Sequence, residues 1–265
     1  MTFENEFFNL GFLDSLSYRE SPVHRLDPRV KLVVTLVFAL TVVSFPKYEI
    51  SGLMPFFLYP ALFLAFGDIP ARFIIKKVIF VSPFALFVGV FNPIIDRGIM
   101  YSIGGIAISG GWISFLSIAL KFALTVSSAL LLIATTSFPG LCHALQKIGL
   151  PGIFVSQLLF LYRYIFVLME EAMRIIRARD MRSFGGRGHG ARTAVNMIGV
   201  LFIRTVERSG RIYNAMLARG FDGRIETTRR YAFTPVDAMF AFISCAAFAL
   251  FREYNLAVML GRLLQ

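Results

Sequence analysis

Long apolar runs that carry almost no charge recur through the first half of this chain and again near its end. The clearest is Trp112–Thr135, in which Lys121 is the only charged residue. A helix needs about 20 apolar residues to cross the ~30 Å hydrocarbon layer of a membrane. Because lipid offers no hydrogen-bonding partners, such a run satisfies its own backbone groups by forming a helix. The sequence therefore predicts an all-α integral membrane protein.

The chain holds about five such runs. Apolar residues make up 57% of the sequence and charged residues 16%, whereas a soluble domain has roughly 25% charged residues. The predicted transmembrane helices are Leu32–Phe45, Ile50–Phe66, Val78–Ile95, Trp112–Thr135 and Pro235–Phe251.

These runs divide the chain into four parts. Residues 1–30 form a cytoplasmic N-terminal segment, and residues 31–136 hold transmembrane helices 1–4. A basic region with long cytoplasmic amphipathic helices covers residues 137–230. Residues 231–265 form the last transmembrane helix and the C-terminus.

The positive charge of the chain predicts its orientation in the membrane. The net charge is +11, and it is concentrated before the first run, in "GDIPARFIIKK" and in the region after Ser137. Basic loops stay on the cytoplasmic side. We therefore expect a multi-pass protein with a cytoplasmic N-terminus and, after five crossings, a C-terminus outside.

The basic region has the pattern of two long helices. A short amphipathic helix in residues 139–152 precedes one helix from about Pro151 to Met181, and a second runs from about Arg192 to Arg219. Parts of both, Ile153–Met169 and Ala194–Ile203, are apolar enough to cross the membrane, which would give seven spans. We favour helices at the cytoplasmic face, since Gln157 and Arg163 interrupt the first run and a buried arginine is costly.

Two segments of the basic region end in the same way. "ARDMRSFGG" (178–186) and "AMLARGFDG" (215–223) share an alanine, an arginine, a phenylalanine and a glycine at matching positions, and residues 174–230 contain thirteen Arg and no Lys. Glycine past a helix end accepts a left-handed conformation, and arginine suits multidentate docking to carboxylates and carbonyls. The shared pattern suggests two equivalent docking ends for a dimeric partner. The candidate docking residues are Ala178, Arg182, Ser183, Ala218, Arg219 and Gly220.

Residues for catalysis or for a bound cofactor are not evident. The three histidines are scattered, the two cysteines lack metal-ligand spacing, and "GGRGHGAR" lacks the Gly-Lys-Ser/Thr ending of a phosphate-binding loop. Within the predicted spans, we interpret Lys121 as snorkelling or paired and Asp237 as a helix N-terminal charge. We expect no enzyme activity, no cofactor and no metal site in this chain.

Two stretches carry a resemblance to a known family. "SPVHRLDPRVKL" before the first span and "ERSGRIYNAMLARGFDGR" late in the chain resemble the transmembrane T component of energy-coupling factor (ECF) importers, in particular the cobalt branch CbiQ. The resemblance extends from Tyr18 to Phe251. It implies a non-catalytic coupling subunit in the cytoplasmic (inner) membrane of a bacterium or archaeon, where it contacts lipid and not nucleic acid.

The resemblance also implies partners. Two ATP-binding-cassette ATPases would bind ATP and Mg, and a separate substrate-binding S subunit, metal-binding and CbiM-like, would hold the cargo. In this family two Ala-Arg-Gly-type motifs end two coupling helices, and each docks into one ATPase. Ala218, Arg219 and Gly220 match the second motif. The first is degenerate: Arg182 with Ser183 is the matching position, and "RAR" at Arg177–Arg179 is an alternative.

Other functions remain open at this point. A T component of a nickel or vitamin importer would have the same features, because the substrate site lies in another subunit. A self-sufficient metal channel or carrier would need intramembrane ligands, which are sparse here.

Overall fold

The computed structural model describes residues 16–95, 99–103, 106–183, 190–223, 225 and 231–254. These residues form two compact units. The core unit comprises residues 16–144 and 231–254, and the paired-helix unit comprises residues 145–223 with 225. Within the described residues, the chain passes between the units at residue 144 and again before residue 231.

Helices account for most of the core unit. It contains α1 (Pro22–Arg25), α2 (Pro28–Val43), a 3₁₀ helix (Ser51–Phe57), α3 (Leu58–Phe66), α4 (Ala71–Gly89), α5 (Phe91–Ile95), strands β1 (Ile99–Ile103) and β2 (Ile106–Ser109), α6 (Gly110–Thr135), α7 (Phe138–Ile148), which runs on past the unit boundary, and α10 (Pro235–Glu253). The paired-helix unit contains α8 (Gly152–Arg182) and α9 (Ala191–Leu217).

The all-α membrane class is confirmed. Four helical segments of the described residues are long and apolar enough to cross a membrane: Ala71–Pro93, Gly110–Thr135, Gly152–Arg182 and Pro235–Glu253. Three of them coincide with predicted spans. The fourth is α8, which qualifies by length and composition although we assigned it to the cytoplasmic face.

The first two predicted spans differ from the prediction in their bounds and in their continuity. The first of these helices, α2, runs from Pro28 to Val43, whereas the predicted span is Leu32–Phe45. Helix α2 has 16 residues, or about 24 Å at 1.5 Å per residue. Residues 51–66 split into the 3₁₀ helix and α3, with Pro55 inside the first and Pro60 near the start of the second. Proline lacks the N–H that a continuous α-helix needs, which explains the break.

The third span and the loop after it also differ from the prediction. Helix α4 begins at Ala71 and not at Val78, so Lys76 and Lys77 lie inside the helix. The segment before α6, for which we predicted no strand, contains an antiparallel hairpin in which Ile103 pairs with Ile106. Two glycines separate the strands in the sequence, and a Gly-Gly pair between β-branched residues is a hairpin signal that we missed.

Lysine side chains connect α2 and α6, which run antiparallel. Lys31 of α2 is 1% exposed and donates to the carbonyl of Thr135 at the end of α6, at 2.8 Å. Lys121 of α6 donates to the carbonyl of Phe45 just past the end of α2, at 2.6 Å. The last carbonyls of a helix have no partner within the helix, and each lysine supplies one. The prediction that Lys121 is paired is confirmed.

Aromatic residues fill the centre of the core unit. Phe38 of α2 is fully buried, and its ring stacks on Tyr59 at 4.6 Å and meets Phe248 edge-on at 5.4 Å. The hydroxyl of Tyr59 lies 3.0 Å from that of Thr35, so its polar end is also satisfied. These contacts hold α2, α3 and α10 together, since aromatic pairs add to the stabilisation from buried area.

Candidate functional site

The predicted docking residues lie in the paired-helix unit, where α8 and α9 run antiparallel and cross. At the crossing, Arg204 of α9 donates to the carboxylate of Glu171 in α8 at 2.7 Å. Past the end of α9, the carbonyl of Gly223 accepts from Ser156 near the start of α8, at 3.0 Å. A cleft opens on each side of the crossing. The structure confirms the two long helices and the short amphipathic helix α7 that precedes them.

The first docking end is the C-terminus of α8. Arg182 is the last residue of the helix, and Ser183 ends it by donating its hydroxyl to the carbonyl of Asp180 at 2.9 Å. Arg182 is exposed and makes no hydrogen bond or ion pair with any described residue. Arg179, the alternative, is held by the carboxylate of Asp180 at 2.6 and 2.9 Å. Of Arg179 and Arg182, Arg179 is thus the paired one, and Arg182 has no such bond among the described residues.

The first end also forms one wall of a cleft of about 660 Å³. Ala178, Arg182 and Ser183 line it from α8, and residues of α9, among them Thr193 and Arg204, line the opposite wall. No sequence pattern indicated these α9 residues as part of the site. They reach the site because α9 returns antiparallel to α8, and sequence spacing along a single helix carries no signal for that contact.

The second docking end is a glycine-terminated helix end. Gly220 has a φ of 79°, and its N–H donates to the carbonyl of Leu217 at 3.0 Å. The N–H of Phe221 donates to the carbonyl of Met216, also at 3.0 Å. This is the Schellman arrangement, so the predicted glycine cap is confirmed. The matching glycines of the first segment, Gly185 and Gly186, lie outside the described residues.

Arg219 lies within this turn and is exposed. Both Ala218 and Arg219 are exposed, and Arg219 has no hydrogen bond or ion pair among the described residues. Phe221 points the other way and packs edge-on against Phe160 of α8, with ring centroids 5.8 Å apart. Phe221 thus anchors the turn to α8 while Arg219 stays free.

The structure does not bring the two docking ends together. Arg182 lies beyond Glu171 in α8 and Arg219 lies beyond Arg204 in α9, on opposite sides of the crossing because the helices are antiparallel. At ~1.5 Å per residue, the two arginines are separated by up to ~40 Å. The pair of helices therefore carries, at its opposite ends, two arginines that have no hydrogen bond or ion pair among the described residues.

Further ion pairs lie within each helix of the unit. Glu170 and Arg174 lie 3.9 Å apart in α8, and Glu207 and Arg211 lie 4.0 Å apart in α9, both at i,i+4 spacing. Among the described residues, no group of three or more His, Cys, Asp or Glu side chains is placed to hold a metal ion.

Four membrane-length helices among the described residues define the class of multi-pass membrane proteins. The sequence matches the family model of the cobalt transport protein CbiQ over residues 19–230. The chain belongs to this family.

Relatives agree with that assignment. The chain is 29% identical to the energy-coupling factor transporter transmembrane protein EcfT of Brevibacillus brevis, over 85% of this chain and 91% of that protein. It is 28% identical to an uncharacterized protein of Methanocaldococcus jannaschii, over 86% of this chain and 81% of that protein. A putative fused cobalt transport protein CbiMQ of Methanocorpusculum labreanum is 35% identical over 42% of this chain and 19% of that protein.

Proposed function

We propose that this chain is the non-catalytic coupling subunit of an ECF-type importer that takes up cobalt. Two ATP-binding-cassette ATPases bind and hydrolyse ATP, and this chain transmits their motion to a separate substrate-binding membrane subunit. The observation that carries the proposal is the pair of free arginines, Arg182 and Arg219, at opposite ends of one crossed pair of helices. Two ends on one rigid body match a partner that presents the same groove twice.

Arginine chemistry supports this role of the helix ends. A planar guanidinium can donate two parallel hydrogen bonds to a carboxylate or to backbone carbonyls in a groove. The small neighbours Ala218 and Gly220 let a partner surface approach closely. When nucleotide binding changes the distance between the two ATPases, both ends of the crossed pair are displaced together, which is a rigid-body type of transition.

The names of the relatives support the transport partners and the cargo. Several relatives are named energy-coupling factor transporter transmembrane proteins, which supports the importer assignment. The fused relative carries a CbiM part beside the CbiQ part, which supports a CbiM-like metal-binding partner. We propose the cytoplasmic membrane as the location, with the N-terminus in the cytoplasm, where the ATPases can reach the basic region.

Charge reversal tests the docking role. Arg182→Glu and Arg219→Glu, singly and together, are expressed with the neighbouring ATPase and membrane subunits, and copurification and uptake of cobalt are measured. We expect each single variant to weaken copurification and the double variant to abolish it. Arg208→Glu, at an exposed position of α9 away from both ends, is the matched control and keeps binding. Normal cobalt uptake by the double variant would refute the docking role.

The same assay resolves the position of the first docking residue. If Arg182 is the docking residue, Arg182→Glu reduces copurification more than Arg179→Glu does, because Arg179 is already paired with Asp180. The opposite order would assign the role to Arg179. Uptake measured with cobalt and nickel side by side tests the metal.

A further inference from the structure

Two segments of the core unit flank the points where the chain leaves for the paired-helix unit and returns from it. Helix α7 precedes the first point and is continuous across it, from Phe138 to Ile148. Residues 231–237 follow the second point and enter α10. These two segments are the described parts of the core unit that lie next in sequence to the two connections, so their contacts within the core unit are where a pull through the chain would first act.

Both segments are bound to the first turn of α2. In α7, the imidazole Nε2 of His143 accepts a hydrogen bond from Arg29 of α2 at 3.2 Å. In the returning segment, Tyr231 stacks on the ring of His143 with centroids 5.2 Å apart and planes 21° apart. Arg29, His143 and Tyr231 thus form one continuous stack of contacts from α2 through α7 to the returning chain.

A second set of contacts holds the start of α10 to the same turn. Asp237 is 2% exposed, and its carboxylate accepts from the N–H of Asp27 at 2.8 Å. The other carboxylate oxygen accepts from the N–H and the hydroxyl of Thr234, at 2.8 and 2.7 Å. Asp27 in turn begins α2 by accepting from the N–H of Arg29 at 2.8 Å. The starts of α2 and α10 are therefore joined by one buried hydrogen bond, and the carboxylate that accepts it is held in place by Thr234.

The two segments pack closely against each other. A methyl group added at Gly140 of α7 would lie 2.8 Å from the hydroxyl of Tyr231, 3.3 Å from Cγ of Pro28 and 3.3 Å from the hydroxyl of Ser137. Tight packing transmits a displacement instead of absorbing it. A shift of either segment therefore moves the start of α2.

Helix α2 connects this place to the rest of the core unit. Lys31, one turn further along, holds the end of α6 through the carbonyl of Thr135. Phe38 packs against residues of α3 and α10. A tilt of α2 at its first turn therefore displaces the residues of α3, α6 and α10 that contact it.

We infer that these contacts form a connector joint, made of Asp27, Arg29, Gly140, His143, Tyr231 and Asp237, that transmits the movement of the paired helices to the membrane helices. The inference rests on the proposed coupling function and assigns it a place inside this chain. Arg29, His143 and Tyr231 act as positioning residues: they touch neither nucleotide nor cargo, and their removal uncouples ATP hydrolysis from uptake.

The test uses the full complex, with three readouts for each variant. Copurification reports assembly, ATP hydrolysis reports the ATPases, and cobalt uptake reports coupling. His143→Ala and Gly140→Ala are expected to assemble and to hydrolyse ATP within about 2-fold of the unaltered complex, while uptake falls about 10-fold, within the range of coupling between distant sites. Gly199→Ala, where an added methyl group meets nothing within 4 Å, is the matched control and keeps uptake.

A double variant separates this mechanism from simple loosening of the fold. The methyl group of Gly140→Ala collides first with the hydroxyl of Tyr231, and Tyr231→Phe removes that hydroxyl while it keeps the stack on His143. Tyr231→Phe alone is expected to retain uptake, and the pair Gly140→Ala/Tyr231→Phe is expected to recover most of it. Two independent defects would add instead.

Each result supports or overturns the connector joint, the proposed function or both. Normal uptake by His143→Ala and Gly140→Ala, or assembly and uptake falling in the same proportion, overturns the joint and leaves the proposed function standing. Failure of the double variant to recover uptake also overturns it. Failure of the unaltered chain to copurify with any ATPase refutes the proposed function itself, and the joint with it. Loss of copurification in Arg182→Glu/Arg219→Glu beside intact copurification in His143→Ala supports both.

Discussion

Replacing Asp237 with asparagine is expected to destabilise the core unit by removing one acceptor from a buried site. The carboxylate accepts three hydrogen bonds, two on one oxygen from Thr234 and one on the other from Asp27. An asparagine has one acceptor oxygen, so its amide N–H₂ faces either the N–H of Asp27 or that of Thr234. In both orientations the amide N–H₂ group faces a backbone N–H, which then lacks an acceptor.

The size of the effect follows from these contacts. A hydrogen bond to a charged group contributes about 1.5–3 kcal/mol, and a buried unsatisfied donor costs about 1–3 kcal/mol. We expect a loss of about 3 kcal/mol, since Asp237 is 2% exposed and water cannot replace the lost acceptor. At about 2–4 °C per kcal/mol for a protein of this size, the midpoint of thermal unfolding falls by about 10 °C.

The assay is thermal unfolding of the purified chain in detergent, followed by the amount that remains monodisperse after heating. Glu253→Gln, at the exposed end of the same helix, is the control and shifts the midpoint by less than about 2 °C, as expected for a surface substitution. A shift of Asp237→Asn no larger than that of the control would show that the carboxylate does not hold α2 and α10 together.

Three further predictions follow from particular residues. Gly220→Ala forces an alanine into a left-handed conformation at a φ of 79°, costing about 1 kcal/mol at that helix end and reducing ATPase copurification. Gly210→Ala, inside α9 with open space around it, stabilises the helix instead, and equal copurification of the two variants would contradict the docking role of the turn. Burial is the largest influence on the pKa of His24 and lowers it, so the folded state favours the neutral ring. Its contribution to stability is present above the unfolded pKa of about 6.5 and is lost as pH falls below it. The unfolding midpoints at pH 7.5 and pH 5.5 should therefore differ more for the unaltered chain than for His24→Gln. Equal differences would show that His24 does not contribute to the pH dependence of stability. Burial also raises the pKa of the Cys142 thiol to about 11, which leaves little thiolate at pH 8. Labelling of Cys142 by a maleimide should be at least ~100-fold slower in the folded chain than after unfolding, since the thiolate is the reactive form, and equal rates would show that the thiol is accessible.

Much of the fold could be predicted from hydrophobic patterning and from helix-end signals. The apolar run Trp112–Thr135 lies within α6, because a run of that length has few alternatives in lipid. The Asp27-Pro28 pair begins α2, with the aspartate accepting a backbone hydrogen bond and the proline at the first helical position. Gly220 ends α9 for a reason that is local to three residues of backbone.

The errors in the fold arose where local signals compete. Pro55 lies in the middle of an apolar run, and hydrophobicity alone does not show that the helix is divided there. Helix α4 begins at Ala71, seven residues before the predicted span. The charges of Lys76 and Lys77 do not end it, because a helix continues through lysine without cost to its backbone. The hairpin of β1 and β2 was not predicted, because glycine disfavours strands in general while the flanking Ile103 and Ile106 favour them.

The sequence by itself determined that this chain forms membrane helices, that its basic region forms two long helices, and that a glycine ends the second of them. These features depend on contacts within one helix or on transfer of one segment into lipid, so the local sequence is sufficient. Only the tertiary structure decided that Arg182 and Arg219 lie at opposite ends of a crossed pair, that Lys31 and Lys121 each hold the end of the other's helix, and that Arg29, His143 and Tyr231 meet. Those contacts join residues up to 114 positions apart, and they exist because antiparallel packing brings together residues that no spacing along the chain relates.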